Sequence, residues 1–115
     1  MRTEKNLLFA YLDRVERDDI IPRIADFCLQ IGGSDWAIVS GIFKEDIICS
    51  IRNVGYVKHA GETANRAFGS VGSAGGHRSL ARAVIPIKKF KDFFNISSVK
   101  AFEDKIIEVF LDTVK

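Results

Sequence analysis

Two apolar runs, Trp36 to Phe43 and Ile47 to Arg52, are separated only by Lys44, Glu45 and Asp46. The first is rich in isoleucine, valine and aromatic residues and the second in isoleucine, and a gap of this length is typical of a hairpin loop, so antiparallel pairing is expected. The second run alternates, with Ile47, Cys49 and Ile51 on one face and Ile48, Ser50 and Arg52 on the other. Arg52 therefore emerges at the strand end, on the side opposite Ile51.

Around this hairpin the remaining segments read as an alternation of strand and helix. Asn6 to Val15 contains the continuous apolar stretch LLFAYL and is read as a short buried strand. Asp18 and Asp19 offer N-cap oxygens, and Pro22 falls in a first helical turn, where its missing N–H has no partner to lose. The helix they start presents Ile20, Ile24, Phe27 and Ile31 at the spacing of one face, expected to be the packing face, and Gly32-Gly33 stops it. A second helix is expected from His59 to Phe68, with Ala60, Ala64, Ala67 and Phe68 as a small-residue stripe and Gly69 at its end. Leu80 to Ile87 reads as a strand closed by Pro86 at an edge or strand end. Lys88, Lys89 and Lys91 are read as a solvated basic bridge. Ser97 or Ser98 caps a last helix whose Phe102, Ile106, Val109 and Phe110 face the core. Neither a repeat nor a linker interrupts this pattern. Residues 1 to 115 are thus expected to form a single α/β domain, with a mixed sheet of about four to five strands flanked by helices.

The composition is globular, with 47% hydrophobic and 28% charged residues, which argues against disorder, a collagen-like repeat or a disulfide scaffold. The longest apolar runs are far shorter than the ~20 residues that cross a bilayer, and the N-terminus lacks a signal-peptide layout. A cytoplasmic protein without a membrane partner is expected. Cys28 and Cys49 lie in apolar segments and are read as buried reduced thiols.

The segment GSVGSAGGHRS, residues 69 to 79, is a loop of unusual composition, with four glycines, three serines, His77 and Arg78. Glycine lets backbone N–H groups converge on an anion without a β-carbon in the way, often beside a helix N-terminus or a cationic side chain. The loop fits neither standard nucleotide pattern. It contains no Gly-x-Gly-x-x-Gly, and Gly76 is followed by His77 where a Walker loop has Lys. His77 and Arg78 would add a titratable donor and a fixed charge to such a cradle. His59 is read as the surface start of its helix. Trp36 is core by default and the one candidate for stacking on a base.

Taken together, SIRN at 50 to 53, HAGETANRAFG at 59 to 69 and SAGGHRSLARAVIPI at 73 to 87 resemble the C-terminal, DHH-associated domain of the DHH phosphoesterase superfamily. That domain has a strand ending in Ser-x-Arg, a helix ending near Phe-Gly, a Gly-Gly-Gly-His loop and a further strand, in this order. Residues 36 to 87 carry the specific part of the resemblance. Two departures stand out: Ala74 replaces the first glycine of the triplet, and Leu80-Ala81-Arg82 stands where Ala-Ala-Gly usually occurs. The resemblance implies that Arg52, Gly75, Gly76 and His77 hold a substrate phosphate, with Ser50, Arg78 and Arg82 as secondary candidates. It also implies a parent enzyme, a nanoRNase, adenosine bisphosphate phosphatase, cyclic dinucleotide phosphodiesterase or exopolyphosphatase-related protein, that hydrolyses phosphoesters of short oligonucleotides or small nucleotides. Its manganese ions would sit in an N-terminal Asp-His-His domain. This chain contains no Asp-His-His sequence and only two histidines. It is therefore expected to be a non-catalytic fragment of a longer enzyme, with no cofactor of its own and with that N-terminal domain as a partner.

Two other functions stay open on the residues alone: a non-enzymatic nucleic-acid or nucleotide-binding regulatory module, and a bare oligomerisation domain, a homodimer being one form of it. The charge distribution bears on the choice. Arg52 to Lys91 holds eight Lys and Arg against Glu62 alone, or +7, while the remainder carries −5, so the total of +2 hides a basic segment. Its coincidence with Ser-x-Arg and the glycine-rich loop favours an anionic ligand there.

Overall fold

A computed structural model describes residues 1–54 and 58–114. Six strands form one mixed sheet in the order β1-β2-β3-β4-β6-β5. They are β1 (Arg2–Glu4), β2 (Leu7–Arg14), β3 (Trp36–Phe43), β4 (Asp46–Asn53), β5 (Ser73–Gly76) and β6 (Leu80–Pro86). The helices are α1 (Ile20–Ile31), α2 (Ala60–Phe68), α3 (Ile87–Phe94) and α4 (Phe102–Val114), the last entered through a 3-10 turn at Val99–Ala101. Only β2 and β3 run parallel, joined by α1 as their crossover; the other neighbours are antiparallel.

The expected hairpin is present as β3 and β4, paired without interruption from Trp36↔Asn53 to Phe43↔Asp46. Its turn is one residue shorter than the sequence suggested. Asp46 belongs to the strand, leaving Lys44-Glu45, with Lys44 in the left-handed region at φ 56°. The strict alternation along β4 divides two cores. Ile47, Cys49 and Ile51 face α2, α3 and α4 with Phe68, Phe90, Phe102 and Phe110, whereas Ile48 joins Leu8, Ala37 and Val39 under α1. Cys28 and Cys49 are free and lie in these separate cores, so the sheet itself keeps the thiols apart. Burial pushes the Cys49 thiol up to about 12 and raises that of Cys28 as well.

Several expectations need correction. The sheet has six strands because it gains two short ones: β1, which turns back through Lys5, and β5, which is built from Ser73–Gly76 inside the segment read as a loop. Small residues give β5 little strand propensity of its own; pairing with β6 makes it a strand. The lysines 88, 89 and 91 do not bridge two elements but lie on α3, which buries Phe90 and ends at Asn95 in a left-handed cap. Pro86 ends β6, as the strand-end alternative expected, and only the edge alternative falls, since β6 is an interior strand.

The packing face of α1 also differs from the expected one. Ile21, Ala25 and Cys28 are buried, while Ile20, Phe27 and Ile31 are 43%, 58% and 60% exposed. Both faces carry helical periodicity, and the narrower side chains of Ala25 and Cys28 let the helix lie close on β3 and β4. Asp19 occupies the N-cap position without a capping bond, because its carboxylate holds Arg17 at 2.6 Å. Ser98 caps the 3-10 turn that leads into α4, not α4 itself. Trp36 is 3% exposed and meets Phe110 edge-on at 5.5 Å, so it is core and unavailable to a base.

Candidate functional site

The candidate residues meet at one corner of the sheet through strand register. In the antiparallel β4–β6 ladder Arg52 lies opposite Leu80 and Ser50 opposite Arg82, and in the β5–β6 ladder Gly75 lies opposite Arg82. Cross-strand partners share a face, so Arg52, Ser50, Arg82 and Gly75 all belong to the α1 side of the sheet. The Leu80 carbonyl accepts from the His77 N–H at 2.7 Å, which brings the exposed His77 turn to the end of β6 beside Arg52. A β-carbon built on Gly75 meets no atom within 4 Å, so the strand surface there is open to an approaching group.

The two arginines of this face are each held by a carboxylate at or before α1. Arg52 Nε donates to Asp26 Oδ1 at 2.6 Å and its Nη1 to the Ile51 carbonyl at 3.1 Å. Its side chain is only 10% exposed, whereas that of Asp26 is 59% exposed. Arg52 is thus neither a solvated strand end nor a free fork. Arg82 Nη2 donates to Asp18 Oδ2 at 3.3 Å, with both partners half-exposed. Neither carboxylate was legible as part of a site: Asp26 is 26 residues from Arg52 in sequence, and only the crossover of α1 joins them.

The glycine-rich segment does something other than offer helix amides to an anion. The Ala60 N–H donates to the Arg78 carbonyl at 2.8 Å and the Gly61 N–H to the His77 carbonyl at 2.9 Å. His59 accepts from the Glu62 N–H through Nδ1 at 3.1 Å, the expected helix start. The first turn of α2 is therefore satisfied internally. Gly76 has φ +154°, and a β-carbon there would sit 2.4 Å from the Leu80 carbonyl oxygen. The steric demand for glycine at 76 lies within the chain, and that at 75 does not. Ser50 is buried beside Arg82 on the same face.

The basic segment is not one patch. Arg82 lies near the start of β6, four residues or roughly 13 Å before Pro86, and the lysines of α3 follow beyond that end. Lys88 and Lys91 instead line, with Arg14, Lys44, Glu45, Asp46 and Asp92, a cleft of about 760 Å³ at the opposite end of the strand. Among the described residues no group of three His, Cys, Asp or Glu side chains could hold a metal ion. The described helices are none of them long and apolar enough to cross a membrane.

This arrangement sits on a fold that other proteins share. The C-Ala domain of Aquifex aeolicus alanyl-tRNA synthetase superposes with a TM-score of 0.60 at 20% identity, over 87% of this chain and 89% of that one. RecJ from Thermus thermophilus, solved with Mg²⁺, gives 0.56 at 12% identity, over 93% of this chain and 15% of that one. The pGpG-specific phosphodiesterase PggH of Vibrio cholerae gives 0.51 at 17% identity, over 93% and 35%. The chain thus shares its fold with the C-Ala domain and with a part of RecJ and of PggH. No family model matches it. In sequence it is 33% identical over 109 residues to the uncharacterized protein MJ1633 of Methanocaldococcus jannaschii, covering 90% of this chain. The chain spans 22% of the length of that relative.

Proposed function

We propose that this domain binds the phosphate of a short oligonucleotide or small nucleotide for a DHH-family phosphoesterase, with Arg52, His77 and the open backbone at Gly75 forming the grip. The convergence of Arg52 and the His77 turn at the Leu80 end of β6 carries this reading. The shared fold with RecJ and PggH supports it. Gly76 acts by letting the turn close, and Ser50, Arg78 and Arg82 are secondary to the grip. Manganese would be held by an Asp-His-His domain of the same cytoplasmic parent protein. No step of hydrolysis is assigned to this chain.

Titration with a 5′-phosphorylated dinucleotide or adenosine bisphosphate tests the reading. Arg52→Ala removes a charge-assisted bond and is expected to weaken binding about tenfold or more; His77→Ala, removing a single side-chain donor, severalfold. Unchanged affinity in either variant removes that residue from the site. Gly75→Ala makes an independent check. Its β-carbon has open space, so the unfolding free energy from urea denaturation should stay within about 0.5 kcal/mol of wild type while nucleotide affinity falls. Equal affinity would mean that the ligand does not approach this strand.

The match to nearly the whole C-Ala domain favours a second reading, a non-enzymatic nucleic-acid module. That reading requires affinity that drops steeply with salt and ignores the 5′-phosphate, because many backbone contacts would replace one grip.

A further inference from the structure

We propose that Asp26, with Asp18 in support, is an internal counter-anion that occupies the Arg52 site until a ligand phosphate displaces it. This rests on the reading of Arg52 as a phosphate ligand. A guanidinium that is 10% exposed cannot be left without an anion at reasonable cost, so the fold must supply one when no ligand is present. The supplied partner is unusual in being far more exposed than the group it neutralises, at 59%. Asp26 is the exposed partner on α1 and accepts from Nε, Nη1 donates to the Ile51 carbonyl, and the strand face at Gly75 is open. A carboxylate in that position can swing into solvent without moving the helix. The same geometry recurs one diagonal across the ladder, where Asp18 meets Arg82.

Two carboxylates standing against two arginines on one strand face set a threshold. A monoanion or a stray carboxylate gains nothing by replacing Asp26, because one negative charge is exchanged for another. A phosphate dianion adds a charge and a third acceptor oxygen, so it gains relative to the resident group. The device thus selects for a terminal phosphate dianion over monoanions and keeps the buried arginine neutralised between ligands. Asp18 contributes less, since its pair is longer and both members are half-exposed.

The test uses inorganic phosphate and the whole chain. Asp26→Asn keeps an oxygen acceptor for Arg52 Nε and removes only the charge. It should bind phosphate about threefold to tenfold tighter than wild type, and phosphate should raise its melting temperature more. In the wild type, the ¹⁵N resonance of Arg52 Nε and the side-chain ¹³C resonance of Asp26 should shift with the same phosphate dependence, a measurement that needs no variant. If Arg52 responds but Asp26 does not, or if Asp26→Asn binds phosphate no tighter, Asp26 is a fixed structural partner and the displacement is wrong while the Arg52 grip stands. If Arg52 responds in neither protein, the phosphate grip itself fails, and the displacement with it.

Discussion

Gly61→Ala is expected to destabilise the domain by about 2–3 kcal/mol, the range of an overpacked contact that cannot relax. It is also expected to lower nucleotide affinity, although residue 61 touches no proposed ligand. The added β-carbon would stand 2.5 Å from the Gly76 carbonyl oxygen and 2.6 Å from its carbon. These are backbone atoms, and Gly76 is held in place by its pairing with Ala81 in the β5–β6 ladder. Either α2 lifts from β5 or the hairpin slides. Both movements break the bonds from Ala60 and Gly61 N–H to the carbonyls of Arg78 and His77, and these bonds position the His77 turn. Urea denaturation with parallel dinucleotide titration measures the two effects. A variant with wild-type stability would show that α2 does not lie this close to β5.

Phe110→Ala should show the largest loss of stability, about 3–5 kcal/mol, as for other fully enclosed aromatic residues. Phe110 has no exposed surface and contacts Phe9 and Trp36 edge-to-face, at ring separations of 6.2 and 5.5 Å. Together with Ile106 and Ile107 it is part of the buried face of α4 in the core that also holds Leu7, Phe9, Trp36 and Ile38. Because Trp36 is the one tryptophan, its fluorescence reports the site directly. The emission should shift to the red as the urea midpoint falls. A loss below about 1 kcal/mol would contradict the packing of α4 described above. Arg52 projects from the opposite, α1 face of the sheet, so binding per folded molecule should survive this substitution where it does not survive Gly61→Ala.

The α/β class, the β3–β4 hairpin, the helices α1, α2 and α4, and the side of β4 on which Arg52 emerges were all legible in the chain. Each depends on local periodicity or on a turn between neighbours, which a linear reading can follow. β5 and α3 were not. Ser73–Gly76 is extended only because β6 lies beside it, and α3 is a short helix whose single buried residue, Phe90, is too little for a periodic signal. α1 shows a different limit. Ile20, Ile24, Phe27 and Ile31 make as regular a stripe as Ile21, Ala25 and Cys28, and the sheet chose the second.

For the candidate site, the residue types were legible and their electrostatic state was not. Arg52, Gly75 and His77 could be singled out from Ser-x-Arg and the glycine-rich segment, and strand register brings them to one corner. The clustering of eight cations between Arg52 and Lys91 suggested one basic patch, yet β6 carries three of them to the far end of the domain. Asp26 and Asp18, from the acidic remainder, were brought to Arg52 and Arg82 instead. Periodicity and turn chemistry act between residues a few positions apart, so the sequence by itself determines which elements form and which side chains each face carries. Burial and charge pairing act across the chain, and the tertiary structure alone decided that Arg52 is a buried cation with an exposed partner.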